Sequence, residues 1–279
     1  QETIIAGGTG IIGTMKESIW QLLADFTAQY RAAALCTIIE SHGSTPRHVG
    51  SKMVVYPDGK FTGSVGGGEI ENRVIQEAVT SLKDGKTRRL TYSMVDPKRG
   101  DPGICGGTME IYIEPILPAP SMIIIGGGHV GKAVAHLAKW LEYRVVVCDD
   151  RSEFTTPEMN PDADVLLNIP MGALPDHIEI NAFTSIVLTT RGANVDIAGL
   201  PDLLRKCEPG YIGIIGSRKR WLTTRQGLLD AGVPEQVISR IHSPIGLELQ
   251  AETPEEIAVS ILAEILMLRR DASGKSMKE

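Results

Sequence analysis

Residues 122–131 read MIIIGGGHVG, and this stretch decides the fold of the C-terminal half of the chain. Its four apolar residues predict a short buried strand, and its glycines fit the pattern G-x-G-x-x-G between a strand and a helix. Asp149 follows about 20 residues later, at the end of a second apolar run, where an acid accepts a hydrogen bond from a ribose hydroxyl. An acid at this place favours an unphosphorylated ribose, so the pattern predicts a site for an NAD-like or other dinucleotide-like ligand rather than NADP.

The glycine loop itself supplies the candidate phosphate contacts, namely Gly126, Gly128, His129 and Gly131. Glycines allow the backbone to approach phosphates closely, and the exposed amides at a helix start favour negative charge. For His129, a structural hydrogen bond is an equal alternative. A domain of the same shape that binds no nucleotide is the alternative for the whole loop.

Strands and helices alternate after residue 121. This order predicts a doubly wound, Rossmann-like α/β domain with a parallel sheet. A last helix is predicted from the capping box at residues 253–256 to about Arg270. The other predicted elements are strands at 122–125, 144–148, 164–168, 185–189 and 211–215, and helices at 131–142 and 199–207.

Basic residues follow the later strands of this domain. Ligands of open α/β sheets collect at the carboxyl ends of the strands, so Arg191, Arg218 and His242 are candidate ligand contacts. The two arginines suit bidentate contact with phosphate. For His242 a structural hydrogen bond is again an equal alternative, and Lys219 and Arg220 are expected to form a solvated helix start.

The N-terminal half predicts a smaller α+β domain at residues 15–114. Three prolines within residues 114–121 predict an extended connector that cannot continue a central strand, so 115–121 is the expected linker and 122–279 the second domain. The predicted elements are an amphipathic helix that begins at Met15, a strand at 33–40, a hairpin at 52–56 and 60–64, a helix at 69–82, and strands at 88–93 and 109–114.

Small polar residues and glycines are concentrated in the loops of this smaller domain. Arg47, Lys52 and the run Gly66, Gly67 and Gly68 are candidates for a second phosphate or oxyanion cradle. Tight turns of a small α+β domain are the alternative. Cys105 stands beside two glycines, and its reactivity would require a lowered thiol pKa.

Composition excludes several classes of function. The net charge of −6 argues against broad attraction to nucleic acid, which depends on Lys and Arg. No apolar run approaches the roughly 20 residues of a membrane helix, so a cytoplasmic protein without membrane contact is expected. The four cysteines show no metal-ligand spacing, and Cys36, Cys148 and Cys207 are expected to be reduced in or near the core.

Several motifs in a fixed order together resemble the XdhC/CoxI family of accessory and maturation factors for xanthine dehydrogenase and carbon monoxide dehydrogenase. The resemblance covers nearly the whole chain except the first dozen or so residues. It rests on STPR at 44–47 with Gly50 and Lys52, GSVGGGE at 63–69, CGG at 105–107, the loop at 126–131, GSR at 216–218, HSPIG at 242–246 and ETPEEIA at 252–258.

The resemblance implies a cofactor chaperone. Its cargo would be the molybdenum cofactor, as molybdopterin or its dinucleotide form, and its partners a cysteine desulfurase and a client molybdenum hydroxylase. It makes Cys105 the candidate to lie near the molybdenum or a transferred sulfur. Many relatives have a cysteine where this chain has Gly68-Glu69, which places a two-cysteine mechanism in doubt.

Two other functions stay open at the level of the sequence. One is an NAD-dependent oxidoreductase, although no acid/base pair such as Tyr-x-x-x-Lys is recognisable. The other is a nucleotide-sensing interaction module. A homodimer is a further expectation, because the helices offer apolar faces.

Overall fold

The protein is described from a computed structural model, which covers residues 18–93 and 106–278. Between Pro118 and Ala119 the chain divides into two compact units. The N-terminal unit contains an antiparallel sheet with helices, and the C-terminal unit is a parallel sheet between helices. The predicted fold class is therefore confirmed.

The N-terminal unit is built on a five-stranded sheet with the order β3-β2-β1-β5-β4. Helix α2 packs against β1 and β5, because its apolar residues Ile70, Val74, Ala78 and Leu82 recur every four positions and are buried. The elements are α1 (Ile19–Ala28), β1 (Ala33–His42), β2 (Lys52–Val55), β3 (Phe61–Gly63), α2 (Gly68–Asp84), β4 (Arg88–Ser93) and β5 (Thr108–Ile116).

One expectation about the proline-rich segment is wrong. Pro115 continues β5, an inner strand, and is paired with Ala34 of β1. The sheet accommodates it because β4 is paired with β5 only between Thr108 and Ile113, so Pro115 lies beyond the end of that neighbour. At the other end of the segment Ser121 is already the first residue of the next strand, so only the residues between Ile116 and Ser121 connect the two sheets.

The C-terminal unit is a six-stranded parallel sheet with the order β11-β10-β9-β6-β7-β8. Its strands are β6 (Ser121–Ile125), β7 (Arg144–Cys148), β8 (Val165–Leu167), β9 (Thr184–Leu188), β10 (Tyr211–Ile214) and β11 (Ile241–His242). Its helices are α3 (His129–Trp140), α4 (Leu174–His177), α5 (Ala193–Lys206), α6 (Arg218–Asp230), α7 (Glu235–Ile238) and α8 (Pro254–Arg269).

Both faces of this sheet are covered. Along β6, Met122 and Ile124 join a core with α3 and α8, whereas Ile123 and Ile125 join a core with α4, α5 and α6. Both sides of the strand are buried, which explains its uninterrupted apolar sequence. The predicted capping box of α8 is confirmed by the Thr253 side chain and by the Glu256 carboxylate, each of which accepts a backbone amide hydrogen of the other residue.

Helix α5 differs from its prediction. It begins at Ala193, six residues before the predicted Gly199, and it continues through Pro201. Burial of Leu200 and Leu203 against the sheet stabilises it despite the missing proline N–H, because tertiary packing outweighs local propensity. Across the described ranges, no helix combines the length and the apolar character needed to cross a membrane.

Candidate functional site

A cleft of about 530 Å³ opens at the carboxyl edge of the parallel sheet. Its lining begins at Ile125 and Gly126, where β6 ends, and includes the segments that follow β7, β8 and β9 together with one side of α5. From β6 the chain adds β7 and β8 on one side of the sheet and then β9, β10 and β11 on the other side. The carboxyl end of β6 is therefore the topological switch point, where α/β proteins bind ligands.

The glycine loop beside the cleft is tight at three positions, including Gly127, where a Cβ would lie 2.5 Å from the Phe154 carbonyl oxygen, and it is open at a fourth. A Cβ on Gly126 would lie 2.7 Å from the Thr189 carbonyl oxygen, and one on Gly131 would lie 2.0 Å from the Gly126 carbonyl oxygen. A Cβ on Gly128 would meet nothing within 4 Å. Gly128 is the N-cap of α3 and supplies no side-chain cap, so the first amides of this helix face an open position suited to an anion. His129, the first helical residue, is exposed.

Asp149 has a structural role that the sequence did not indicate. Its carboxylate is almost completely buried and accepts hydrogen bonds from the Gly127 amide at 3.0 Å and from the Arg151 amide and guanidinium at 3.0 Å. Both oxygens are thus engaged within the chain, where the sequence predicted a ribose acceptor. The carboxylate instead connects the glycine loop to the end of β7.

Asp150 and Arg191 form the second charged pair of the cleft. Nη1 and Nη2 of Arg191 donate to Oδ1 and Oδ2 of Asp150 at 2.8 and 2.9 Å. The guanidinium holds the pKa of the Asp150 carboxyl at about 2, below its ordinary range. Arg191 therefore lies in the predicted place, but a carboxylate of the same chain occupies the two donors that were expected to bind phosphate.

Arg220 departs from the expected solvated helix start. Its guanidinium donates to the completely buried Asp196 carboxylate at 2.7 Å and to the hydroxyl and carbonyl of Thr190 at 2.6 and 2.9 Å. Thr190 also donates its hydroxyl to Asp196. This Thr190–Asp196–Arg220 network fixes the loop after β9 to α5 and α6.

These charged residues were missed because sequence shows a charge but not its partner. Asp150 and Arg151 follow Asp149 directly at the end of a buried strand, and this run of three charges was the available signal. Asp196 gave none, since an acid in the first turn of a helix is ordinarily exposed.

Two further predicted contacts do not line the cleft. Arg218 is exposed at the start of α6, and no described residue forms an ion pair or hydrogen bond with its side chain. His242 stacks on Tyr211 with 4.8 Å between ring centroids, and its Nδ1 lies 3.5 Å from Oε1 of Glu264. The Tyr211 hydroxyl donates to the same carboxylate, so His242 belongs to a packing cluster under α8.

The thiols of the C-terminal unit are not suited to chemistry. Cys148 lines the cleft and donates to the Ile169 carbonyl oxygen at 3.4 Å. Burial, together with the neighbouring Asp149 charge, raises the thiol pKa to about 12. Burial also raises the pKa of Cys207 to about 11 and that of Cys36, in the N-terminal unit, to about 12. All three are free thiols, as expected from the sequence.

The N-terminal loops converge as a group, here called the N-terminal loop cluster and formed by residues 41–47, 64–68 and 106–107. A Cβ on Gly107 would lie 2.4 Å from the Ser44 carbonyl oxygen, and one on Gly66 would lie 3.0 Å from the Pro46 ring. The run Gly66, Gly67 and Gly68 has φ values of 147°, 79° and 63°, which favour glycine at all three positions.

The start of α2 lies within this cluster. Gly67 is the N-cap without a side-chain cap, and Cβ atoms on Gly67 or Gly68 would meet nothing within 4 Å. One carboxylate is already present, because Glu71 accepts from the Ser64 hydroxyl at 2.6 Å and from the Val65 amide at 3.3 Å. The predicted cradle thus has open backbone at Gly67 and Gly68, and the Glu71 carboxylate is bonded to the preceding loop residues Ser64 and Val65.

The charged candidates of the N-terminal unit, Arg47 and Lys52, have no carboxylate partner among the residues that the structure describes. Arg47 is exposed, and its side chain makes no ion pair or hydrogen bond to the residues that the structure covers. Lys52 donates to the Gly50 carbonyl oxygen at 3.3 Å, and its ammonium lies 5.8 Å from the centre of the Trp20 ring. Cys105 lies outside the described residues. Within residues 18–93 and 106–278, no group of three or more His, Cys, Asp and Glu side chains is placed to hold a metal ion.

Comparison with known proteins gives two domain matches. Residues 26–93 match the model of the XdhC and CoxI family, and residues 122–265 match the model of the XdhC Rossmann domain. The second match alone covers more than half of the chain.

Three curated relatives are similar over different lengths. The uncharacterized protein YqeB of Escherichia coli K12 is 34% identical over 88% of this chain and 45% of its own length. A probable xanthine dehydrogenase subunit of Bacillus subtilis 168 is 32% identical over 58% of this chain and 47% of its own length. The molybdenum cofactor insertion chaperone PaoD of Escherichia coli K12 is 22% identical over 86% of this chain and 84% of its own length.

The chain thus spans about half the length of the first two relatives. The two domain matches follow one another along the chain in the order in which the N-terminal loop cluster and the cleft occur. This chain belongs to the XdhC and CoxI family.

Proposed function

We propose that this chain is a maturation chaperone that binds the molybdenum cofactor and delivers it to a xanthine dehydrogenase-type molybdenum hydroxylase. Family membership supports this role, as do a relative named as a molybdenum cofactor insertion chaperone and one named as part of a probable xanthine dehydrogenase. The observation that carries the proposal is the 530 Å³ cleft, which begins at Gly126 beside the uncapped start of α3.

The chemistry of this edge fits a nucleotide-bearing cargo. The open Gly128 position and the amides of α3 suit a phosphate, and the Arg191 guanidinium is a second phosphate partner once it is released from Asp150. Ile125, Ile169 and Val195 give the cleft apolar walls for a base. We therefore favour the dinucleotide form of the cofactor as the cargo, with its nucleotide end in the cleft.

We propose the N-terminal loop cluster, taken by itself, as a second site for a phosphate or oxyanion. Gly67 and Gly68 offer open backbone, and Arg47 is a cation without a competing carboxylate among the described residues. Cys105 directly precedes Gly106 and Gly107 in the chain, and Gly107 lies against Ser44. We propose Cys105 as the residue near the molybdenum or a transferred sulfur, a cysteine desulfurase as the sulfur donor, and a homodimer in the cytoplasm as the working form.

The decisive experiment is anaerobic binding and transfer of the cofactor. The purified chain is incubated with molybdenum cofactor, separated from free cofactor by gel filtration, and mixed with a cofactor-free xanthine dehydrogenase. We expect retention of the cofactor and a gain of hydroxylase activity, and we expect Cys105→Ser to retain its fold while activation falls. Absence of cofactor from the protein fraction would contradict the proposal, and full activation by Cys105→Ser would remove that residue from it.

An NAD-dependent oxidoreductase is the second candidate, because the same cleft suits a dinucleotide coenzyme. Among the described residues that line it, no histidine, tyrosine or lysine is present to act as acid or base, and the Cys148 thiol is protonated at neutral pH. NADH oxidation by the purified chain would favour the oxidoreductase. Nucleotide-dependent association with a partner, without chemistry and without cofactor, would instead favour the nucleotide-sensing module.

A further inference from the structure

The Asp150–Arg191 pair lies across the end of the central strand of the sheet. Strand β6 is hydrogen-bonded to β7 on one side and to β9 on the other, with Ile125 paired to both Cys148 and Leu188. Asp150 is two residues beyond the end of β7, and Arg191 is three residues beyond the end of β9. The ion pair therefore joins the two strand ends that flank β6, at the place where the chain enters the glycine loop.

The Asp150–Arg191 pair belongs to the same cleft as the first residue of the glycine loop. Both residues line the cleft, as do Ile125 and Gly126. The two parallel bonds, at 2.8 and 2.9 Å, use the guanidinium edge in the manner in which arginine binds phosphate. The carboxylate of Asp150 thus stands where a phosphate would bind.

We propose that Asp150 is an internal competitor for an anionic ligand, so that Arg191 becomes a phosphate contact for a nucleoside diphosphate group only when the Asp150–Arg191 pair opens. This inference rests on the proposed assignment of the cleft to the nucleotide end of the cargo. It assigns Arg191 to ligand binding and Asp150 to the control of affinity. A chaperone must release its cargo, and a competing carboxylate promotes release.

The pair is suited to opening because it is half exposed. The side chains of Arg191 and Asp150 are 47% and 44% exposed, so solvent and salt weaken their attraction. The neighbouring Asp149–Arg151 pair is different, because its carboxylate side chain is only 2% exposed and also binds the Gly127 amide. Nε of Arg151 lies 3.9 Å from Oδ1 of Asp150, so a cation remains beside Asp150 after the Arg191 bonds break.

The expected size of the effect follows from a pre-equilibrium. A partly exposed ion pair favours its closed state only several-fold. Since the apparent affinity of a ligand is its intrinsic affinity multiplied by the fraction of protein in the open state, a closed-to-open ratio of about four to one weakens binding about fivefold. Removing the carboxylate charge removes this competition. An isosteric change is available, since Asp150→Asn keeps the shape of the side chain.

The test uses the full chain and isothermal titration with ADP as the probe, with adenosine as the probe without phosphate. We expect Asp150→Asn to bind ADP about fivefold more tightly than the unchanged chain and adenosine with unchanged affinity. We expect Arg191→Gln to lose ADP affinity, and the double variant to resemble Arg191→Gln. We also expect ADP binding to fall more steeply with salt in Asp150→Asn, because in the unchanged chain salt weakens the competing pair as well.

Two variants control for general electrostatics. Asp176→Asn removes the same charge from the cleft without touching Arg191, since Asp176 pairs with Lys206, and we expect a smaller gain than for Asp150→Asn. Glu235→Gln opens an exposed pair with Arg225 outside the cleft, and we expect no change. Equal gains for Asp150→Asn and Asp176→Asn would overturn the proposal, as would an equal gain for adenosine or an absence of ADP binding in every variant.

Failure of this inference is separable from failure of the proposed function. The same variants are assayed for retention of molybdenum cofactor by gel filtration. Retention by the unchanged chain together with no effect of Asp150→Asn on ADP would overturn only the role of Asp150. Tighter ADP binding by Asp150→Asn without any retention of molybdenum cofactor would support the competitor and contradict the chaperone.

Discussion

The cleft of the C-terminal unit and the N-terminal loop cluster hold their polar groups in different ways. In and beside the cleft, charged side chains form ion pairs with one another, namely Asp149–Arg151, Asp150–Arg191 and Asp196–Arg220. The loop cluster depends on backbone shape, hydroxyl groups and one carboxylate that binds its own loop. On the proposed function, ligand affinity in the cleft is expected to depend on exchange of ionic partners, and ligand affinity in the loop cluster on how well the backbone is held.

The largest expected effect is a loss of stability when the buried ion pair Asp196–Arg220 is broken, and Asp196→Ala is the variant that tests it. Loss of this buried carboxylate leaves Arg220 mostly buried without its partner, so we expect the free energy of unfolding to fall by about 3–5 kcal/mol. Urea unfolding followed by tryptophan fluorescence measures the loss. As a control, Asp176→Ala opens an exposed ion pair and should cost less than about 1 kcal/mol. Equal losses would show that burial does not distinguish the two pairs.

Gly128→Asp separates ligand binding from folding in the cleft. Aspartate is a favoured N-cap, so α3 should keep its stability, but its charge occupies the open anion position. We expect ADP to bind at least about tenfold more weakly, a loss of about 1.4 kcal/mol. Titration calorimetry measures the affinity, and Gly128→Ser provides a neutral N-cap as the control. An unchanged affinity in Gly128→Asp would move the phosphate away from α3.

Alkaline pH should destabilise both units, because each contains a buried thiol with a raised pKa. Burial raises the thiol pKa from 9.0 to about 12 for Cys36 in one unit, and burial with the Asp149 charge does so for Cys148 in the other. A raised folded-state pKa gives stability that is complete below about pH 9 and is lost as pH rises towards 12. We expect each thiol to cost about 1.4 kcal/mol by pH 10, because the unfolded thiol ionises first.

Hydrogen exchange with mass spectrometry, read separately for the two units, measures this alkaline loss. Cys36→Ala should flatten the pH dependence between pH 9 and 12 in the N-terminal unit alone, and Cys148→Ala should do so in the C-terminal unit alone. A slope unchanged by either substitution would mean that these thiols ionise in the folded chain.

Thr45→Val is the smallest expected effect and tests how the loop cluster is held. The Thr45 hydroxyl is shared with Ser41 at 2.7 Å and donates to the Arg47 carbonyl oxygen at 2.9 Å. Loss of these partly exposed bonds should cost about 0.5–1 kcal/mol and should speed amide exchange in residues 41–47. Thr45→Ser keeps the hydroxyl and should exchange as the unchanged chain does. Slow exchange in Thr45→Val would show that backbone packing alone holds the loop.

The sequence predicted the sheet of the C-terminal unit well because its signals are local. The strand predicted at 144–148 agrees with β7, and the capping box places the start of α8. Helix α5 was predicted to begin at Gly199, six residues too late, whereas burial of Leu200 and Leu203 supports helix on both sides of Pro201. That burial depends on residues distant in sequence, which a local pattern does not contain.

The sequence indicated charged residues at the carboxyl edge of the sheet but not the partners that these residues have. The sequence placed Asp149 and Arg191 at the carboxyl edge, and the structure brings both to the cleft. Their partners Arg151 and Asp150 depend on side-chain directions at the ends of two strands, and Arg220 reaches Asp196 only because α5 and α6 pack together. His242 was grouped with the ligand contacts because it follows a strand, yet its ring stacks on Tyr211.

The protonated state of the buried thiols makes selective chemical labelling of the remaining cysteine possible. Cys36, Cys148 and Cys207 carry pKa values of about 11 to 12, so alkylating reagents, which react with thiolates, should modify them very slowly in the folded protein at neutral pH. The fourth cysteine is Cys105. A thiol that is modified rapidly under native conditions would thus identify Cys105 in the unaltered chain, and protection of that thiol by the cargo would map the cargo without any substitution.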